Sequence, residues 1–237
     1  MGELKSSPAL AFCVAVLRPP MMGLTRRDWS GTEHLPPAGS GCVVVCNHIS
    51  HFDPLAIAHF LYDNGRVPRF LVKSELFDVP VIGKVITGAG QIPVFRQTSE
   101  AAKAFSAAVE AVNRGECVVV YTEGTITRDP RLWPMVGKTG AARIALTTGC
   151  PVIPIAQWGP HEVLAPYGRR LRLLPRKTMH ICAGPPVALD DLRTQRLTPQ
   201  LLREASDRTT DAVISLLEQL RGEQAPPERL NLEAHSR

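Results

Sequence analysis

No two of the six cysteines stand in a C-x-x-C pair; they are scattered at positions 13, 42, 46, 117, 150 and 182. Four of them fall inside apolar, strand-like runs. That spacing suits neither a zinc site nor a disulfide framework, and it reads as buried free thiols in a reducing compartment. Long apolar runs are missing too. A helix that crosses a membrane needs about 20 apolar residues, whereas the stretch 8–17 has ten and stops at Arg18-Pro19-Pro20. It is also a poor signal peptide, because Glu3 and a single Lys5 give a weak leader charge and no clean small-residue cleavage site follows. No repeat period exists, which excludes solenoids, collagen and coiled coils. There is no helix-turn-helix, RNP or OB signature, so nucleic acid is a poor explanation of the chain's positive charge.

What is present is a globular composition. The chain has 237 residues, 44% apolar and 21% charged, which predicts one domain. At 25.8 kDa it buries roughly 27,000 Å² on folding, ample for one large core. The net charge is +5, with 21 Arg against 6 Lys. A basic excess permits an anionic membrane or phosphorylated substrates and does not choose between them.

From Gly41 onward, strand-like and helix-like segments alternate. Residues 42–46, 69–72, 91–95, 117–121, 152–156 and 178–183 read as strands, several of them β-branched and wholly apolar. Helices are predicted over 53–63, with Asp53 as N-cap and Pro54 at the first helical position, over 98–114, over 138–148, and from Thr198-Pro199 to before Gly222. The alternation predicts an α/β domain, a central mostly parallel or mixed sheet flanked by helices, spanning residues 41–222. Residues 223–237 read as a flexible tail. Residues 1–40 carry Leu10, Phe12, Val14, Val16, Leu17, Met21, Met22, Leu24 and Trp29, with Arg26 and Arg27 among them. That segment either caps the core as a helix or associates with a membrane surface without crossing it.

Four segments carry chemistry. In Asn47-His48-Ile49-Ser50-His51-Phe52-Asp53, His48 follows a buried strand and Asp53 lies five residues on. Ligands in open α/β sheets collect at the carboxyl ends of strands. A carboxylate on one imidazole nitrogen leaves the other as a base; alternatively, Asp53 only caps its helix. A metal reading of His48, His51 and Asp53 finds no further His or carboxylate cluster to complete it. In Gly90-Gln91-Ile92-Pro93-Val94-Phe95-Arg96, an Arg stands just past a strand. Its planar fork suits phosphate, though a lone Arg also serves to keep a strand edge soluble. In Tyr121-Thr122-Glu123-Gly124-Thr125, Gly124 permits close backbone approach, and Glu123 can bind a hydroxyl or pair with Arg96. Prolines 151 and 154 flank and interrupt the fourth segment, as at an edge or a bend. Residues 168–177 add Arg169, Arg170, Arg172, Arg176 and Lys177 interleaved with Leu. That pattern reads as a solvated β-hairpin or as a contact for anionic headgroups.

In this order and spacing, the four segments resemble the glycerophospholipid acyltransferase family of the 1-acylglycerol-3-phosphate type. His48 and Asp53 match its H-x4-D box, 90–96 its second motif, Glu123-Gly124-Thr125 its third and 152–155 its fourth. Lys73-Ser74-Glu75-Leu76, Gly137-Lys138-Thr139-Gly140-Ala141-Ala142 and Gly184-Pro185-Pro186 are lesser matches. The chain departs from the pattern at Thr122, where the family usually has Pro, and at Ile126, where it usually has Arg; the next Arg is Arg128. The resemblance implies transfer of a fatty acyl group from acyl-CoA or acyl carrier protein to the free hydroxyl of a lysophospholipid. His48 and Asp53 would be catalytic, and Lys73, Arg96, Glu123, Gly124 and Thr125 would bind substrate. It implies no metal and no redox cofactor. The expected location is the cytoplasmic face of the cell membrane, on an anionic surface.

Overall fold

The structure, a computed structural model, describes residues 7–94 and 98–232, with the backbone alone at 98–101. In chain order its elements are α1 (Pro8–Leu24), β1 (Thr25–Ser30), β2 (Cys42–Cys46), α2 (Asp53–Asp63), β3 (Pro68–Lys73), α3 (Ile82–Gly88) and β4 (Ile92–Val94). They continue with α4 (Thr98–Asn113), β5 (Cys117–Tyr121), α5 (Gly140–Thr148), β6 (Val152–Trp158), α6 (Pro160–Val163), β7 (Lys177–Ala183), α7 (Asp190–Arg193) and α8 (Pro199–Arg221). The strands form one seven-stranded sheet in the order β1-β7-β6-β2-β5-β3-β4. Every neighbouring pair is parallel except β6 and β7. The sheet is therefore mixed, and helices cover both of its faces.

The apolar strands follow from that position. β2 and β5 lie at the centre, covered on both sides, so nearly every residue is buried and alternation disappears. Val43, Val45, Val118 and Val120 face a layer of small side chains from α4, α5 and α8, among them Ala108, Ala142, Ala145 and Ala205. Val44, Cys46 and Val119 face the other layer, where α1 contributes Met21 and α2 contributes Ala56, Ile57, Phe60 and Leu61. Cys42, Cys46, Cys117 and Cys150 are buried. Because β2, β3, β4, β5 and β6 run the same way, their carboxyl ends share one rim. The segments after β2, β5 and β3 emerge there.

Three features depart from the sequence expectation. Helix α1 does not end at Arg18 but continues through Pro19 and Pro20 to Leu24. The prolines remove amide donors to the carbonyls of Ala15 and Val16; both residues are exposed, so water can serve those carbonyls. Strand β1, reading Thr-Arg-Arg-Asp-Trp-Ser, pairs with β7 at the sheet edge. The boundary expected at residue 40 therefore falls too late, since the sheet begins at Thr25. An edge strand paired on one side carries no apolar run to announce it. The segment after Gly222, expected as a flexible tail, runs back on the body as far as residue 232. The Val136 amide donates to the Leu230 carbonyl at 3.0 Å, and Arg229 pairs with Asp207 and Asp211 on α8.

Candidate active site

His48 stands two residues past β2. The strand's exit is fixed by Asn47, whose side chain bonds the backbone of Gln157 on β6 in both directions: Nδ2 donates to the carbonyl at 3.0 Å and Oδ1 accepts the amide at 2.9 Å. Gln157 returns a bond from Nε2 to the Asn47 carbonyl at 3.1 Å. All of these groups are buried, where hydrogen bonds are stronger than in water.

The sequence reads Asp53 as the cap of α2, but the capping position belongs to Phe52 and has no side-chain cap. The Asp53 carboxylate turns back toward the preceding loop. Oδ2 lies 2.8 Å from His48 Nδ1 and accepts the amides of Ile49 at 2.6 Å and Ser50 at 2.9 Å. One carboxylate oxygen therefore sets both the loop and the ring. The Asp53 side chain is fully buried, while that of His48 keeps 15% of its surface. Burial pushes the Asp53 carboxyl up, and the bonds from His48 and the two amides oppose that push. In the neutral tautomer that donates Nδ1–H to the carboxylate, Nε2 is the nitrogen free to accept a proton, and the side chain remains partly exposed. Behind it, the Tyr121 ring stacks on the imidazole, centroids 4.2 Å apart and planes 20° apart. Phe70 on β3 continues the stack beyond Tyr121.

The other candidates divide. Glu123 is buried beneath the loop: Oε1 accepts the His48 amide at 3.3 Å and Oε2 accepts the Met135 amide at 2.9 Å. It ties three loops together, and burial raises its carboxyl to about 8. Gly124 is exposed at φ +67°, in the region that favours glycine, and a Cβ there would touch the Lys138 ammonium. Thr125 is half-buried. Lys73 is exposed at the end of β3, paired in register with Val94 of β4. Arg96 lies outside the described residues, two positions beyond β4. Ile126, where the resembled family has Arg, is buried, and its carbonyl accepts the Tyr167 hydroxyl at 2.6 Å. Beside the His48 loop a cavity of about 540 Å³ is lined by Thr127, Arg128, Asp129, Leu132, Pro166 and Tyr167. The Thr127 amide bonds the His48 carbonyl at 2.8 Å, and Tyr167 meets His51 edge-on.

Tyr121, Asn47 and Gln157 had no role assigned from sequence. The available signal was polarity out of place: a Gln inside an apolar strand and an Asn directly after one.

Fold and site together define a mixed α/β protein with a carboxylate-oriented imidazole at the carboxyl rim of its sheet. The family model named Acyltransferase matches residues 26–158, and the chain belongs to that family. Among curated relatives, the chain is similar to 1-acyl-sn-glycerol-3-phosphate acyltransferase BAT2, chloroplastic, of Brassica napus. Identity is 34% over 140 residues, covering 59% of this chain and 39% of that protein. The chloroplastic LPAT1 of Arabidopsis thaliana is 30% identical over 135 residues, covering 56% of this chain and 36% of its own length. The chain thus aligns with less than two fifths of either plant protein. The crystal structure of the LPA acyltransferase PlsC from Thermotoga maritima shares the fold. It has a TM-score of 0.66 at 24% identity and covers 88% of this chain and 78% of that one.

Proposed function

We propose that the chain is a 1-acylglycerol-3-phosphate O-acyltransferase, which makes phosphatidic acid from a lysophospholipid and an acyl thioester. The observation that carries this reading is the His48–Asp53 pair, a partly exposed imidazole held by a buried carboxylate at 2.8 Å. The names of the plant relatives support the acceptor.

The acceptor hydroxyl attacks the thioester carbonyl while His48 Nε2 takes its proton. The C–O bond forms, the tetrahedral intermediate collapses, and the C–S bond breaks. The proton on Nε2 then passes to the leaving thiolate, giving ester and free thiol. Asp53 holds the tautomer and favours the imidazolium formed in between. A positioned base contributes about 10² to 10⁴ in rate, so orientation of two bound substrates supplies much of the rest. This step needs neither a metal nor a redox cofactor. The donor is acyl-CoA or acyl carrier protein. Lys73 and Arg96 are assigned to the acceptor's phosphate, with Gly124 and Thr125 lining its approach. Glu123 supports the His48 loop.

We assign the protein to the cytoplasmic face of the cell membrane, attached from one side. Among the described residues no helix is long and apolar enough to cross. Helix α1 buries only Met21 and exposes Phe12, Val16, Leu17 and Met22, as an interfacial helix does.

The test is product analysis by mass spectrometry, with purified protein, a panel of acyl-CoA and acyl carrier protein donors, and a panel of lysolipids. Phosphatidic acid formed only when lysophosphatidic acid is present supports the reading. Free fatty acid released at the same rate without acceptor would make the protein a thioesterase using the same pair.

A further inference from the structure

We propose that residues 168–177 form a second lipid-contacting element, separate from α1, which reads the anionic headgroups of a bilayer. The proposal extends the membrane assignment above and does not depend on the acyl-transfer reaction.

The loop is not the hairpin expected from its sequence: no strand forms until Lys177. Its backbone is nonetheless held. The Arg172 amide bonds the Val163 carbonyl at 2.8 Å, and Leu173 packs against the core layer that contains α2. Arg176 Nη2 donates to the carbonyls of Met22 at 3.0 Å and Thr25 at 2.6 Å, which sets the loop against the end of α1. What the loop leaves outside is unusual for a soluble surface. Leu174 is 76% exposed, more than any other large apolar side chain among the described residues, and Leu171 is 56% exposed. Arg169, Arg170 and Arg172 alternate with them and are also exposed. Among the described residues no carboxylate forms an ion pair with any of the three.

Exposed leucines between unpaired arginines fit one occupant well. Leucine enters the headgroup–acyl boundary while each nearby cation gains from a negative surface. Apart from Tyr167 and Leu197, the other exposed large apolar side chains among the described residues lie in two segments: Phe12, Val16, Leu17 and Met22 on α1, and Leu76, Val79, Val81 and Ile82 at the start of α3 and just before it. Helix α1 joins these parts. Its N-cap Ser7 hydroxyl donates to the Gly88 carbonyl at the end of α3 at 2.6 Å, and its other end receives Arg176. An acidic protein would use the arginines but has no need of two exposed leucines.

Vesicle sedimentation of the full chain tests this. One set of vesicles contains phosphatidylglycerol and the other only phosphatidylcholine. The variant carrying Arg169→Gln, Arg170→Gln and Arg172→Gln should bind phosphatidylglycerol vesicles about 10- to 100-fold more weakly. Its weak binding to phosphatidylcholine should not change. Leu171→Ser with Leu174→Ser should weaken binding to both. Circular dichroism and turnover of detergent-dispersed substrates should match wild type in both variants, which separates failure of this proposal from failure of the enzymatic reading. Unchanged vesicle binding by both variants would overturn the proposal. Normal vesicle binding with selective loss of acyl carrier protein as donor would also overturn it, assigning the loop to an acidic carrier protein instead.

Discussion

The imidazole of His48 lies face to face with the ring of Tyr121, 4.2 Å between centroids and 20° between planes. The pair comes from neighbouring strands, since β2 and β5 align Cys46 with Tyr121, and Asp53 holds the imidazole at its Nδ1 edge. Ring and carboxylate together fix the plane and the rotation of the imidazole. Tyr121→Leu is expected to lower kcat about 3- to 10-fold with little change in KM, from a lost contact worth roughly 1 kcal/mol. Tyr121→Phe should keep near wild-type kcat. Steady-state kinetics of both variants checks this, and equal losses would point to the hydroxyl rather than the ring.

His48→Ala should reduce transfer at least 100-fold while the circular dichroism spectrum stays native. Asp53→Asn should cost nearly as much activity and, in addition, about 1–3 kcal/mol of stability. The second effect arises because Oδ2 accepts the Ile49 and Ser50 amides, which a misplaced amide group would leave unpaired. The decisive comparison is thermal melting: His48→Ala should melt close to wild type and Asp53→Asn below it.

Burial raises Glu123 from an ordinary 4.5 to about 8. The native state therefore holds a proton on this group where the unfolded chain has released it. Stability contributed by the protonated form is complete below the unfolded value and is lost as pH rises toward about 8, each unit counting for about 1.4 kcal/mol. Glu123→Gln keeps the shape without the charge. Its melting temperature should fall less than that of wild type between pH 4.5 and 8. Parallel melting curves across that window would show that Glu123 is ionised in the native protein.

The central architecture was legible because its signals are strong. The valine runs of β2 and β5 are long and apolar, and His48 and Asp53 stand five apart beside one of them. The missed parts have tertiary causes. Strand β1 is polar because one side of it has no neighbour. Asp53 looks like a helix cap in sequence, since an Asp before Pro at a helix start usually is one. Only the folded loop shows the carboxylate turned to Ile49, Ser50 and His48. Glu123 looks like a ligand contact until the amides of His48 and Met135 are seen on its two oxygens. The Asn47–Gln157 bracket joins positions 110 apart, beyond any local pattern.

Removal of α1 should separate attachment from folding. The cut belongs before Thr25, because β1 completes the sheet edge and Met21 is the only buried residue of α1. A chain starting at residue 24 should lose most of its affinity for vesicles and keep its cooperative melt, with a stability loss of about 1–3 kcal/mol from Met21. A chain starting at residue 31 should also lose the edge strand and melt well below it. Collapse of the first truncation to an unfolded state would make α1 part of the core instead of an anchor.

The last expectation concerns the acceptor's phosphate. The strand order places β2, β5, β3 and β4 side by side, so β4 lies about three strand spacings from β2, roughly 14 Å. Lys73 ends β3 beside Val94, and Arg96 follows two residues later. We propose that the acceptor's phosphate is held on the Lys73 side of His48. Arg128 instead lines the cavity with Tyr167, next to the loop that His51 shares, and the buried Ile126 cannot supply the usual cation. Arg96→Ala should therefore raise KM for lysophosphatidic acid about 10-fold or more, the scale of a charge-assisted bond, and leave the donor's KM unchanged. Arg96→Lys should recover only part of the loss, because an ammonium cannot offer the bidentate fork. Arg128→Ala should leave the acceptor's KM as it was. The informative pair of substrates is lysophosphatidic acid and a lysolipid whose phosphate is capped by a headgroup. Wild type should favour the first, and Arg96→Ala should lose that preference. If wild type and Arg96→Ala use both acceptors equally, Arg96 does not hold the phosphate; if Arg128→Ala erases the preference instead, the acceptor lies on the Tyr167 side of His48.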